Sequence, residues 1–304
     1  MMGPFRRLFA REPAARGVRV ALFGKHPGWD DHIDDQGVET EGLVETRRLL
    51  YAEGIGGNID SGAWQRLGEH ARLPEFGHAF LWDRGKSVVV GRMWGSSDGR
   101  GRSAYPLVAC AEAPAGTAAW AGERLLPILD GLEAACRATR DAARVVEGVA
   151  VAQRQAAVLA PPEPRDGVAP GATQRLAARS GMGEEEMARV LYHIERESPS
   201  LLRGRNDRVR GEPDPAHARV PAAGERAESL SAWWGFLREH VRPNVPCLVV
   251  RADGRGWADL VIGSPTPASL FCLRATEAGL PLTTEVPYEV STSARERVMR
   301  PQIR

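Results

Sequence analysis

The strongest constraint on the fold of this chain is a set of short, apolar, β-rich runs that come in pairs across turn-forming tetrapeptides. His78–Trp82 and Ser87–Met93 are separated by Asp83-Arg84-Gly85-Lys86, and Cys247–Val250 and Trp257–Ile262 flank Asp253-Gly254-Arg255-Gly256. Asp and Gly supply the backbone conformations that reverse a chain, so each pair predicts a hairpin. Two further runs, Val18–Phe23 closed by Gly24 and Tyr105–Ala111, read as strands. Helical patterns lie between them. Val38, Leu43, Val44, Leu49 and Leu50 recur at helical intervals. That helix is expected to end near Gly54, where Gly56-Gly57-Asn58 interrupts the pattern. Asp60 or Ser61 is placed to cap a second short helix carrying Trp64 and Leu67. Helical segments fill much of Thr117–Leu159, Gly183–Glu197 (Met187, Val190, Leu191 and Ile194 inward) and Leu230–Val241. The expected class is α/β: a mixed, largely antiparallel central sheet with helices packed on it.

The 304 residues divide by composition. Residues 1–16 read as an N-terminal tail and 17–160 as an N-terminal α/β domain. Residues 161–225 read as a helical insertion and flexible linker, because Ala-Pro-Pro-Glu-Pro at 160–164 and the Arg-, Asp-, Pro- and Gly-rich 203–226 stretch lack a core pattern. Residues 226–304 form a C-terminal αβ segment completing or flanking the domain, its last dozen residues expected to fray. A formal charge of +1 gives no electrostatic footprint for nucleic acid. No apolar run approaches the ~20 residues of a membrane span. The apolar stretch Leu8–Ala10 is shorter than the ~7–15 residues of a secretory h-region. Cys110, Cys136, Cys247 and Cys272 are scattered without a Cys-x-x-Cys pair, so reduced core thiols and a cytoplasmic location are expected. No cofactor is called for.

Two loops concentrate chemistry. The first is Gly24-Lys25-His26-Pro27-Gly28-Trp29-Asp30-Asp31-His32, and Lys25 is one of only two lysines. It is not a P-loop, since Arg19 stands where the first glycine belongs and His26 replaces the magnesium-binding hydroxyl. A metal-dependent hydrolase built on His26, Asp31 and His32, with Asp30 alongside, is one reading. The plainer one is a stiff turn in which Asp31 caps backbone N–H groups and Lys25 pairs with Asp30 or Asp31. No Gly-x-Ser-x-Gly elbow is present. The second loop, Trp94 through Gly95 and Ser103 to Leu107, carries Asp98-Gly99 turn chemistry and the anion-binding candidates Arg100 and Arg102. Of the eight tryptophans, Trp64, Trp82 and Trp257 sit in patterned segments and are assigned to the core. Trp29 and Trp94 flank the loops, and in the doublet Trp233-Trp234 one indole is expected to face the surface.

Taken together the loops resemble the signatures of the TagF (ImpM) family of type VI secretion accessory proteins. Gly24, Lys25, Pro27 and Asp31 fall on its Gly-Lys-x-Pro, three residues, Asp pattern. Asp98, Gly101, Arg102, Tyr105, Pro106 and Leu107 follow its Ser-x-Asp-x-x-Gly-Arg and aromatic-Pro-Leu pattern in kind and order. Ser229-Leu230 before Trp233-Trp234 and Gly279-Leu280-Pro281 are fainter echoes. His26 and His32 depart from the family's apolar residue and Phe, the stretch after Arg102 is one residue longer, and Ser97 is out of its spacing. The resemblance makes 17–160 a TagF-like domain. It implies a cytoplasmic, non-enzymatic accessory or post-translational regulator that binds a protein partner, a forkhead-associated scaffold of the secretion system. It also implies an α/β fold with the two loops close in space. On this reading the binding residues are Gly24, Lys25, Pro27, Trp29, Asp31, Trp94, Asp98, Gly101, Arg102, Tyr105 and Pro106, with Trp29 and Trp94 offering apolar contact area.

Overall fold

A computed structural model describes residues 17–163, 170–203 and 214–299. Its centre is one seven-stranded sheet in which every pairing is antiparallel. In chain order the strands are β1 (Arg19–Gly24), β2 (Gly77–Asp83), β3 (Ser87–Trp94), β4 (Leu107–Pro114), β5 (Ala216–Pro221), β6 (Cys247–Ala252) and β7 (Trp257–Ile262). Both predicted hairpins are present, as β2–β3 and β6–β7. The spatial order is β1-β4-β3-β2-β6-β7-β5. The halves join where β2 pairs with β6, His78 opposite Ala252 and Asp83 opposite Cys247. The segment after residue 226 therefore completes the sheet.

The strands read as continuous apolar runs because both faces of the sheet are covered. Alternate residues enter two cores. Val20, Leu22, Leu81, Val88, Val90 and Ala109 lie in one; Ala21, Phe23, Phe80, Trp82, Val89 and Val108 lie in the other. On the second face lies an unbroken helical segment, α-helical at α1 (Glu41–Glu45), π-helical over Thr46–Ile55 and α-helical again at α2 (Gly56–Asp60). A 3₁₀ segment, Ser269–Arg274, packs beside it. The first face is covered by α3 (Ala118–Arg137), α4 (Ala142–Ala157), α5 (Ala172–Ser180), α6 (Glu184–Glu197), α7 (Arg226–His240) and α8 (Thr292–Met299).

Four expectations need correction. The first helix does not end near Gly54. A Cβ there would lie 2.2 Å from Leu270 Cδ1, and one on Gly57 would lie 2.9 Å from Pro267 Cγ, so these glycines permit close packing rather than stopping the helix. Val44, expected inside, is exposed. The Trp64 segment is a run of turns, although Trp64 is buried and its Nε1 donates to the Phe271 carbonyl. Residues 216–221, assigned to a linker, form the edge strand β5. The C-terminal stretch is ordered as α8, where Arg295 pairs with Glu185 of α6. The N-terminal tail lies outside the described residues.

The other edge, β1, is closed by side chains and short bridges. Gln153 of α4 accepts from Val20 N–H and donates to the Val18 carbonyl, Gln36 bridges Leu22 through both backbone groups, and Ile33 N–H reaches the Gly24 carbonyl. With its ladder groups so occupied, that edge is a poor template for another strand. No described helix is long and apolar enough to cross a membrane. All four cysteines are free and buried, and burial raises the Cys136 and Cys247 thiols to about 12.

Candidate functional site

Antiparallel pairing of β1 with β4 sets Gly24 opposite Leu107, so the chain leaves β1 exactly where it enters β4. The two dense loops therefore begin at one spot. Gly24 has φ +122°, and a Cβ on it would approach the Pro106 carbonyl oxygen to 2.3 Å, so no other residue fits this junction. Lys25 N–H donates to that same oxygen at 3.2 Å, and the hydroxyl of Tyr51, from the π-helical turn, donates to it at 3.3 Å.

Asp98 is the organising group. Its carboxylate is buried and accepts four hydrogen bonds. Oδ2 receives Lys25 Nζ at 2.6 Å and Arg102 Nε at 2.7 Å; Oδ1 receives the backbone N–H groups of Arg100 and Arg102 at 3.1 and 2.9 Å. Burial by itself pushes this carboxyl up, but the bonds from Lys25 and Arg102 outweigh it and hold it well below the usual carboxylate range. Lys25, 5% exposed, also lies 3.6 Å from Asp31. The loops are then tied by backbone: Gly99 N–H donates to the Trp29 carbonyl at 2.6 Å, and Arg102 Nη2 donates to the Asp30 carbonyl at 2.9 Å. Gly101, at φ +79°, lets the second loop turn back on Asp98.

The rim is charged and solvated. Arg102 stands 3.3 Å from Asp31 and Arg100 stands 3.6 Å from Asp30, and all four side chains are at least half exposed. The hydrogen bond from His32, ahead of the charge of Arg102, lowers the Asp31 carboxyl. The His32 ring packs edge-on against Tyr105 and Tyr51, with centroids 5.1 and 5.9 Å away. Tyr105 is half-buried, Pro27 is half-buried and Pro106 is buried.

The sequence reading erred on Trp94. It is 1% exposed, within the core under the helices, and offers a partner nothing. Successive residues of β3 point to opposite faces, and Trp94 shares the inner row of Val88 and Val90; that period of two was legible. Trp29 is only partly buried and keeps an accessible edge. Of the doublet, Trp233 is fully buried and Trp234 half-buried, its Nε1 donating to Asp83. Sequence reasoning missed Tyr51, which no motif flags, and the support beneath His26.

The hydrolase reading needs His26, Asp31 and His32 to converge. The His26 ring instead faces inward: Nδ1 accepts from Gly28 N–H and Nε2 donates to the Cys136 carbonyl, both at 3.0 Å. His32 Nδ1 bonds Asp31 alone, at 3.0 Å. Among the described residues the one grouping with ligand atoms near one another is His217, Asp259 and Cys272. There Arg219 grips both Asp259 oxygens at 2.9 Å, so a guanidinium already sits where a cation would bind.

The fold and site thus define an α/β protein whose antiparallel sheet carries, at one end of β1 and β4, a pair of loops locked by a buried carboxylate and rimmed by opposite charges. No family model matches the chain, and no curated protein matches it. Among solved structures, that of PA0076 from Pseudomonas aeruginosa PAO1 aligns over 88% of this chain and 96% of that chain, at 19% identity and a TM-score of 0.44.

Proposed function

We propose that this protein is a non-enzymatic accessory or post-translational regulator of a bacterial type VI secretion system, of the TagF (ImpM) kind. It works in the cytoplasm by binding a protein partner, a forkhead-associated scaffold of the apparatus. The observation that supports this reading most is that residues separated by 73 positions, Lys25 and Asp98, meet at 2.6 Å, so the two loop signatures form one platform. A motif pair that merely happened to match would have no reason to interlock through its own charged members. The platform's chemistry suits recognition: its interior groups are mutually satisfied, and its rim presents Asp30, Asp31, Arg100 and Arg102 to solvent.

The test is affinity recovery of the tagged protein from its host with identification of the scaffold. Asp31→Ala and Arg102→Ala are expected to lower scaffold recovery at least about tenfold, with circular dichroism unchanged. Wild-type recovery of every partner by both variants refutes the reading.

A further inference from the structure

At the opposite end of β4, roughly 23 Å from the loop platform at ~3.3 Å per residue, three helices enclose an empty cleft of about 540 or 500 Å³ class size, the latter value belonging to this site. Its walls are Trp120 of α3, Leu176 of α5 and Trp234 of α7, with Ala119, Ala232 and Gly235 as small residues between them. Both indoles are half-buried, so each shows a face to the opening. The volume lies within the ~300–1,000 Å³ of ordinary ligand sites.

Two observations say what it takes. The chain's own proline-rich stretch borders the cleft: Pro162 and Glu163, in a segment that is neither helix nor strand, form one lip while leaving the volume open. Inside, Ser231 Oγ is buried and has no hydrogen-bond partner, an expensive state for a hydroxyl unless something brings it an acceptor. Arg179 stands at the mouth as a further donor. A polyproline-type segment matches each point. Its rings pack on indole faces, its prolines bring no N–H that an apolar wall would strand, and its carbonyls stay free to accept.

We propose that this cleft binds a proline-rich peptide segment of a partner, and that the Pro161-Pro162 stretch partly occludes it. The assay is calorimetric titration of the full chain with a capped decaproline peptide, against a Gly-Ser decapeptide of equal length. Decaproline binds saturably and the Gly-Ser peptide does not. Trp120→Ala weakens binding at least about tenfold. Ala232→Trp, which fills the cleft from α7, abolishes it, so the test does not hang on one variant's folding. Pro161→Gly combined with Pro162→Gly tightens binding by about threefold, since a competing lip is loosened. Absence of saturable binding in both the wild type and the double-glycine variant overturns the proposal. So does equal binding of the Gly-Ser peptide, or unchanged affinity in folded Trp120→Ala.

Discussion

Replacing Lys25 by Met tests the platform most directly, because it removes one charge and little volume from a buried position. The lost contact is a single charge-assisted hydrogen bond of 2.6 Å from a side chain 6% exposed. Such bonds contribute about 1.5–3 kcal/mol. The upper end applies where the partner is left bare. Here Asp98 keeps Arg102 Nε and two backbone N–H groups, so about 2 kcal/mol is expected. For a chain of this size that lowers Tm by roughly 4–6 °C. The pH dependence carries the sharper signature. The Asp98 carboxyl is depressed in the folded state, so its contribution is present above the unfolded value near ~4 and fades as pH falls through the folded one. Once Asp98 is protonated, Lys25 has no charge to meet. The stability gap between wild type and Lys25→Met, followed by thermal melts from neutral to acid pH, is therefore widest near pH 7 and narrows below ~4. A gap that is absent at neutral pH, or constant down to acid, refutes the assignment of Lys25 and Asp98 as the tie between the loops.

Two further perturbations probe the frame. Arg219→Met strands the fully buried Asp259 with only His217 and frees the carbonyls of Cys272, Ala275 and Leu280, so urea denaturation should show a loss of about 3–5 kcal/mol. Adding Asp259→Leu should restore part of it, and no recovery in the double variant counts against the pair as the cause. Gly54→Ala sets helix propensity, about 1 kcal/mol in favour of Ala, against a Cβ 2.2 Å from Leu270 Cδ1 and 2.9 Å from the Leu49 carbonyl. Overpacking at about 1–3 kcal/mol should win, and a stabilised variant would show that Gly54 is not needed for the close approach.

How much of this was legible in the sequence depends on whether the determining contact was local. The β2–β3 and β6–β7 hairpins were, because their turns and apolar runs are contiguous. The pairing of β2 with β6 was not, since nothing near His78 specifies Ala252. Strand β5 was hidden for a different reason. Ala216–Pro221 contains His217 and Arg219, which look like solvated linker residues, yet Arg219 is 1% exposed because Asp259 on the neighbouring strand neutralises it. A buried ion pair disguises a core strand as a polar one. The glycines at 54, 56 and 57 misled in the opposite direction: a helix interior loses stability at glycine only when nothing is gained by bringing another element close.

The same distinction governs the candidate site. Its motif residues divide by what they touch, and most of them face one another. Lys25, Asp98 and Gly24 are satisfied within the platform, and Trp94 lies beneath it. Asp30 and Arg100, which fall between motif positions, are among the most exposed side chains of the rim. A partner approaching this end of the molecule therefore meets residues that the signatures do not specify. The signatures describe how the loops are built, and the intervening positions set the charge pattern that is read. Asp31 and Arg102 belong to both groups, pairing inward with Lys25 and Asp98 and outward with each other. That double placement is why these two, rather than the fully buried motif residues, separate recognition from folding.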